Sequence, residues 1–337
     1  MNEPVLTGDI AVYRQSELAL TAERMTELHR AATAMVQRQE RPNTKLAREQ
    51  DWKSWETFCT QLDLPTLIPS SDALVIYAAW LATDTADRSA LAPTSIVRRV
   101  SGVLAGWKRA GIEYPQGIAE AAGIIASGHE RSLHEHNRPV GRGKAPALTA
   151  KAIRRIVAAL PQTPGGIRDR ALILIGFGIA ARRSELAHLE VSDITAGDEG
   201  LSVHVRYSKT KPRHPGVPFG AHEATCPVLA WQAWLNVSGI DSGPAFRTVD
   251  RHGRIGGRMT PKAVGEAITR AGALAKLPAH YTGHSVRSGL ATESRRAGHD
   301  IVTIARQGGW TEGSRSLYGY IQDVDKWSKN AVKGIGL

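Results

Sequence analysis

Four short stretches of the sequence assemble side chains that could act on a phosphate ester. In GHSVR, His284 and Arg287 stand three residues apart near the expected start of a helix and so share a face. An imidazole and a guanidinium aimed together, with the positive end of a helix nearby, make an anion site. Arg182 and Glu185 have the same spacing at the polar end of an apolar segment; alone they would be an ordinary intrahelical ion pair worth about 0.2–0.5 kcal/mol. Their weight comes from their company. Lys209 and Lys211 stand in a polar turn, Trp310 follows Gly308 and Gly309, and Tyr318 and Tyr320 come shortly after. Phosphoryl transfer without a metal needs such a set, because two guanidinium forks can neutralise the non-bridging oxygens of a pentacoordinate phosphorus while a tyrosine supplies the nucleophile. Tyr318 and Tyr320 lie about 200° apart on a helix, so only one of them can face the phosphate.

Other chemistries fail at single positions. A nucleotide-binding loop ending at Gly143-Lys144 would need glycine at Arg138 and a hydroxyl residue at Ala145. A zinc-protease pattern opened by His129-Glu130 would need histidine at Leu133. Gly283-His284-Ser285-Val286 begins like a hydrolase nucleophile elbow, but its closing position is Arg287. Forty-three Lys and Arg against 32 Asp and Glu leave a formal charge of +11, a field that favours polyanions. Cys59 and Cys226 are too few for a disulfide framework or a four-cysteine zinc site and suit a reducing cytoplasm. The first residues carry Glu3 and Asp9 with no basic segment leading into an apolar run, and the longest apolar stretches, 73–82 and 171–181, fall short of the roughly 20 residues that cross a bilayer. The expectation is a cytoplasmic protein with a nucleic-acid partner and no membrane segment.

The elements that must position these groups are mostly helical. After a polar leader, 1–42, Trp52, Trp55, Cys59 and Leu62 define one face of a helix over 44–62, ended by Pro65 and Pro69. Ser71 or Asp72 can cap a second helix over 73–83, and Pro93 opens a third over 94–110. That helix turns Ile96, Val100, Val103, Leu104 and Trp107 to one side and Arg98, Arg99, Lys108 and Arg109 to the other, a basic face that could meet DNA or only water. The run HEHNRPVGRGKAP reads as an extended basic linker, which puts a domain boundary at 138–147. Beyond it the pattern predicts helices over 149–160 and 169–189, two short strands over 201–207 and 216–219 around the turn SKTKPRHP, and helices over 226–237, 261–275, 284–297, 300–307 and 311–320.

These residues carry a family resemblance. RRSELAHLEVSD, from Arg182 to Asp193, resembles the first box of the tyrosine recombinases, or phage integrases; GHSVRSGLATESRRAG, with QGGW and GYI, resembles the second. LAPTSIVRRVSGVLAGWKRAGI and VHVRYSKT extend the likeness, closest to the Cre-like branch, over nearly everything from Asn43 onward. The resemblance implies a mostly α, multi-domain protein: a helical core-binding domain over 43–137, the linker, and a mainly α catalytic domain over 148–337 with a small antiparallel sheet, together forming a C-shaped clamp on duplex DNA.

By the same resemblance, Arg182 and Arg287 clamp the phosphate, Glu185 orients the site, His284 accepts the tyrosine proton and Lys209, followed by Thr210, protonates the departing 5′ oxygen. Trp310 stands where the Cre-like branch has tryptophan and many relatives have histidine; its indole N–H can bond a phosphate oxygen but cannot exchange a proton. The pattern of nucleophile followed by isoleucine selects Tyr320-Ile321, although the spacing from Trp310 is one residue longer than in that branch. Arg98 and Arg99 become candidates for base edges in a major groove, with Lys108 on the same face, Arg142 on the backbone from the linker and Lys262 reaching the groove from the catalytic domain.

The implied reaction is site-specific strand exchange through a 3′-phosphotyrosyl intermediate, for integration, excision or resolution. The arginine clamp and the conserved energy of the phosphodiester remove the need for a metal or a nucleotide cofactor. The implied assembly is a homotetramer on two recombination sites with inverted repeats, a dimer on each, with accessory DNA-bending proteins as candidate partners, and the tail over 326–337 resembles a segment that docks on a neighbouring protomer. The alternatives are a type IB topoisomerase, which shares the chemistry but only relaxes supercoils, and a non-catalytic DNA-binding relative.

Overall fold

The computed structural model describes residues 22–31, 35, 42–141, 143–208, 211–311, 313–328, 330 and 332–335. The chain divides into two compact units, Met1–Gly143 and Lys144–Leu337. Residues 22–31 are helical and exposed.

The first unit packs four helices: α1 (Pro42–Gln61), α2 (Ser71–Ala82), α3 (Pro93–Arg109) and α4 (Glu120–Glu135). Ser70, not the expected Ser71 or Asp72, caps α2 by accepting from the Ala73 N–H, because the helix starts two residues earlier than expected and takes both of those into its first turn; Pro93 occupies the first turn of α3, where its missing N–H costs no helical bond. The core is aromatic: Trp55, Phe58, Tyr77 and Trp107 are fully buried, and full burial of a large side chain contributes on the order of 1.5–3 kcal/mol. The indole N–H groups of Trp55 and Trp107 both donate to the Thr66 carbonyl, at 3.0 and 2.8 Å, so the burial strands no donor. Helices α1 and α3 close tightly because Gly106 presents no side chain; a Cβ there would lie 2.1 Å from the Trp52 ring. Helix α4 does not follow from the sequence pattern, because its buried residues, Ala122, Ala126 and Leu133, form too sparse a stripe to register as amphipathic.

In the second unit, α5 (Ala150–Ala159) and α6 (Pro164–Gly178) are followed by the short α7 (Arg183–His188). An antiparallel three-stranded sheet comes next, in the order β1 (Ile194–Gly197), β2 (Gly200–Val203), β3 (Gly216–Pro218), with Ile194 opposite Val203 and Leu201 opposite Val217. A further bridge pairs Val205 with Arg213 and closes the turn between β2 and β3. Then come α8 (Pro227–Ser238), the hairpin β4 (Arg247–Val249) and β5 (Ile255–Arg258), α9 (Pro261–Leu274), α10 (Ser285–Arg296), α11 (Ile301–Gly308) and α12 (Arg315–Ser328). Helix α6 is the centre of the core; Ala171, Leu172, Ile173 and Ile175 are fully buried, and it packs against α8, α9 and α10. A satellite cluster of Ala180, Ala291, Ile304, Trp310, Leu317, Tyr320 and Ile321 joins the end of α6 to α10, α11 and α12.

Two helix boundaries in the second unit are corrected. The continuous helix over 169–189 is broken: α6 stops at Gly178, Ala180 takes a left-handed φ of 47°, and Arg182 is extended before α7 starts. The last helix begins at Arg315, not at 311, because Gly313 has a φ of 70° and the chain turns there before helix geometry resumes; it then runs on past Tyr320. Both cysteines are buried and free, and among the described residues no helix is long and apolar enough to cross a membrane.

Candidate active site

The break between α6 and α7 builds the first half of the site. The Ala181 N–H returns to the Gly176 carbonyl at 2.8 Å, reversing the chain and leaving Arg182 as the N-cap residue of α7. Glu185 reaches back to it: Oε2 accepts from the Arg182 backbone N–H at 3.0 Å and Oε1 from Arg182 Nη1 at 2.5 Å. The anticipated i, i+3 pair is therefore present, not along a helix but across a helix start, where a carboxylate satisfies otherwise unpaired N–H groups. Burial works against the charge of Glu185, but hydrogen bonds and positive charge from Arg213 and Arg182 outweigh it and hold the carboxyl below its ordinary range.

Arg287 joins the halves. It is almost fully buried on the first turn of α10, and its Nη1 donates to the carbonyls of Ala180 and Gly308, both at 2.7 Å. The guanidinium carbon lies 3.8 Å from the centre of the Trp310 ring, within cation–π range. Burial, then the nearby Arg182 charge, pull its pKa below the ordinary arginine value. Among the described residues, the buried side-chain donors without a hydrogen-bond partner are Arg99 Nε, Arg170 Nε, Arg213 Nε and Nη1, Arg287 Nη2 and Trp310 Nε1; the last two belong to side chains stacked on each other. Buried N–H groups are rarely left so, and two donors from neighbouring side chains make a place for an anion's oxygens.

His284 precedes α10, and its Nε2 lies 2.8 Å from the Tyr320 hydroxyl on α12. Burial, followed by the charges of Arg287 and Arg182, lowers the His284 pKa, so the ring is held neutral and can accept a proton. Burial raises the Tyr320 pKa against the opposing charge of Arg287. The Trp310 ring sits edge-on to Tyr320 at 6.5 Å. Tyr318, two residues earlier on α12, is 42% exposed and outside this cluster. Two cationic forks, a neutral base and a phenol are thus gathered beside unpaired N–H donors.

Residues 146–325, more than half of the chain and including all of these side chains, match the family model described as the phage integrase family. The chain belongs to the phage integrase family. Over 334 residues, 97% of this chain and 92% of its relative, it is 26% identical to an integrase/recombinase XerD homolog from Selenomonas ruminantium. It is 29% identical over 176 residues to the recombinase Cre of Escherichia phage P1, a match that spans 47% of this chain and 50% of Cre. Among solved structures, lambda integrase (residues 75–356) bound to DNA superposes with a TM-score of 0.53 at 16% identity, covering 92% of this chain and 99% of that one. At that identity the likeness is one of fold.

Lys209 and Arg142 lie outside the described residues. Lys211 is described and exposed. Arg98 and Arg99, on α3, both turn to the buried Asp51 of α1: Arg98 Nη1 contacts its two oxygens at 2.6 and 2.5 Å, while Arg99 Nε lies 3.4 Å away and its Nη1 donates to the Gln50 carbonyl at 2.8 Å. Lys108 is exposed in the last turn of α3, and Lys262 is exposed on α9 with its ammonium 3.6 Å from Glu266.

Two residues of the site escaped the sequence reading. Arg213 Nη2 donates to Glu185 Oε2 at 2.9 Å and to the Ile179 carbonyl at 3.0 Å, from the far end of the basic turn. Gln307 Nε2 donates to the carbonyls of Gly178 and Gly216, at 2.7 and 2.8 Å, and ties α11 to both α6 and β3. In SKTKPRHP nothing distinguishes Arg213 from its neighbours except that it stands where the chain re-enters the sheet, and that position was the available signal.

Proposed function

We propose that the chain recombines duplex DNA at specific sites, with Tyr320 as nucleophile. His284 Nε2 takes the phenol proton as the tyrosine oxygen attacks a backbone phosphorus. Arg182, Arg287 and the Trp310 N–H stabilise the charge that grows on the non-bridging oxygens, Glu185 orients Arg182, and Lys209 protonates the departing sugar 5′ oxygen. The product is a 3′-phosphotyrosyl bond and a free 5′ hydroxyl. Attack by the 5′ hydroxyl of a partner strand reverses the step; because one phosphoester replaces another, no nucleotide is consumed. Arg98, Arg99, Lys108, Arg142 and Lys262 contact the DNA, and the working assembly is a tetramer holding two sites with inverted repeats.

The observation that carries this reading is the 2.8 Å contact between His284 and Tyr320 beside the unpaired donors of Arg287 and Trp310. The experiment uses duplexes selected from a randomised library for binding to the full chain. Denaturing electrophoresis should show a covalent protein–DNA adduct with a free 5′ hydroxyl, and two copies of the selected site should exchange strands. Relaxation of supercoils without exchange would favour a topoisomerase, and binding without any adduct would favour a non-catalytic relative.

A further inference from the structure

We infer that Arg213 is a positioning residue for the phosphate clamp, an inference that rests on the reading of Arg182 as part of that clamp. Its side chain is 9% exposed although it leaves a polar surface turn. The guanidinium meets three separate segments. Nη2 holds Glu185 by the oxygen that also accepts the Arg182 backbone N–H, so Glu185 is gripped between two arginines. The same nitrogen donates to the Ile179 carbonyl in the break between α6 and α7, next to Ala180, whose own carbonyl accepts from Arg287. The stem packs under Gly309, whose φ is 62° and where a Cβ would lie 2.8 Å from Arg213 Cδ, so the turn delivering Trp310 closes directly on this side chain. Backbone bonds fix the other end: Val205 N–H to the Arg213 carbonyl at 2.8 Å and Arg213 N–H to the Val205 carbonyl at 3.3 Å.

One side chain thus ties together the segment that carries Arg182 and Glu185, the Ile179 carbonyl one residue before the carbonyl that anchors Arg287, and the turn before Trp310. Its charge has a second consequence. Three guanidiniums against one carboxylate leave two net positive charges in the buried site, and a phosphodiester goes from one negative charge to two as it becomes pentacoordinate. Without Arg213, Glu185 would keep the Ser208 hydroxyl, and among the described residues Arg182 would be the one cation bonded to it, which it would neutralise. The residue that should carry charge to the phosphate would then be held as a compensated ion pair.

Arg213→Gln, Arg213→Lys and Arg182→Ala would be prepared in the full chain. Each would be assayed on a duplex selected for wild-type binding and on the same duplex carrying an uncharged methylphosphonate at the cleaved position. Arg213→Gln should bind both duplexes as the wild type does and form adduct on the phosphodiester about ten- to a hundredfold more slowly, the scale of a small misplacement of reacting groups. The deficit should shrink on the methylphosphonate, as for Arg182→Ala, because that substrate presents less charge to neutralise. Arg213→Lys, which keeps the charge beside Glu185, should recover part of the rate. A wild-type rate for Arg213→Gln overturns the inference, as do equal losses on both substrates with a lowered Tm in both Arg213 variants, the mark of a folding residue. If Arg182→Ala is itself not slowed, the clamp reading fails and the inference falls with it; if Arg182→Ala is slowed and rescued while Arg213→Gln is not, the inference alone fails.

Discussion

His284 Nε2 and the Tyr320 hydroxyl meet at 2.8 Å across 36 residues of sequence, while Tyr318, on the same helix as Tyr320, is turned to solvent. The helix that carries both tyrosines therefore offers one phenol to the site. Tyr320→Phe should bind DNA and form no covalent adduct, and Tyr318→Phe should form adduct at close to the wild-type rate. Loss of the adduct in Tyr318→Phe alone would reverse the assignment and leave Tyr320 as a packing residue.

The same contact sets a pH dependence. Burial and two guanidiniums disfavour the imidazolium of His284, so its pKa lies below the ordinary histidine value of about 6.5. In the proposed reaction the neutral ring accepts the phenol proton, so adduct formation should persist as the pH falls through the ordinary histidine range and decline only below it. In the free protein, NMR titration of the His284 ring should give a depressed pKa that rises in Arg182→Gln, where one of the two cations is gone. An ordinary value, unmoved by that substitution, would remove His284 from the field of the clamp.

The legible and the illegible parts of the site differ in range. His284 and Arg287 are three apart at a helix start, and their shared face follows from helix geometry alone. The break before Arg182 does not: apolar residues at helical spacing run from 171 to 189, and what stops the helix is the turn of Ala180, whose carbonyl is held by an arginine more than 100 residues away. Local pattern cannot contain such a constraint. Arg213 was missed for the same reason, since its partners, Glu185 and Ile179, are distant in sequence and its neighbours in the turn are equally polar. The strands β1, β4 and β5 bury at most one residue each and so carry no apolar alternation, whereas β2 and β3 bury Leu201, Val203 and Val217; only the hairpin flanking the basic turn is legible in the sequence.

Lys209→Ala should cleave an ordinary phosphodiester poorly and recover on a substrate whose bridging 5′ oxygen is replaced by sulfur, because a thiolate leaves without a proton. The alternative donor, Lys211, is two residues away. If the sulfur substrate rescues Lys211→Ala instead, the proton comes from there, and rescue of neither variant would reduce the lysines to strand contacts.

Close packing of α1 on α3 depends on Gly106, where a Cβ would fall 2.1 Å from the Trp52 ring, whereas Gly123, on α4, has open space around it. Gly106→Ala should destabilise the first unit by about 1–3 kcal/mol through overpacking. Gly123→Ala should stabilise it by up to about 1 kcal/mol through helix propensity. Chemical denaturation monitored by tryptophan fluorescence reads both, and a neutral Gly106→Ala would show that the ring can swing away without cost.

Arg98 and Arg99 share the buried Asp51, but unequally: the Arg98 side chain is 47% exposed and bonds Asp51 through one nitrogen, whereas Arg99 is 22% exposed and also holds the Gln50 carbonyl. In the proposed DNA contact Arg98, the more exposed of the two, is the one expected to reach a base edge while Asp51 steadies it. Arg98→Ala should reduce discrimination between a selected and a scrambled duplex by roughly 1–3 kcal/mol, the scale of a lost bidentate guanine contact, with a smaller loss for Arg99→Ala. Arg142→Ala should instead weaken both duplexes alike and flatten the salt dependence by about one unit of slope, as expected for a phosphate contact. Affinity on one sequence cannot separate the two roles, so binding is measured on both duplexes over several salt concentrations. Equal losses on both duplexes for Arg98→Ala would make α3 a backbone contact and move sequence reading elsewhere on the chain.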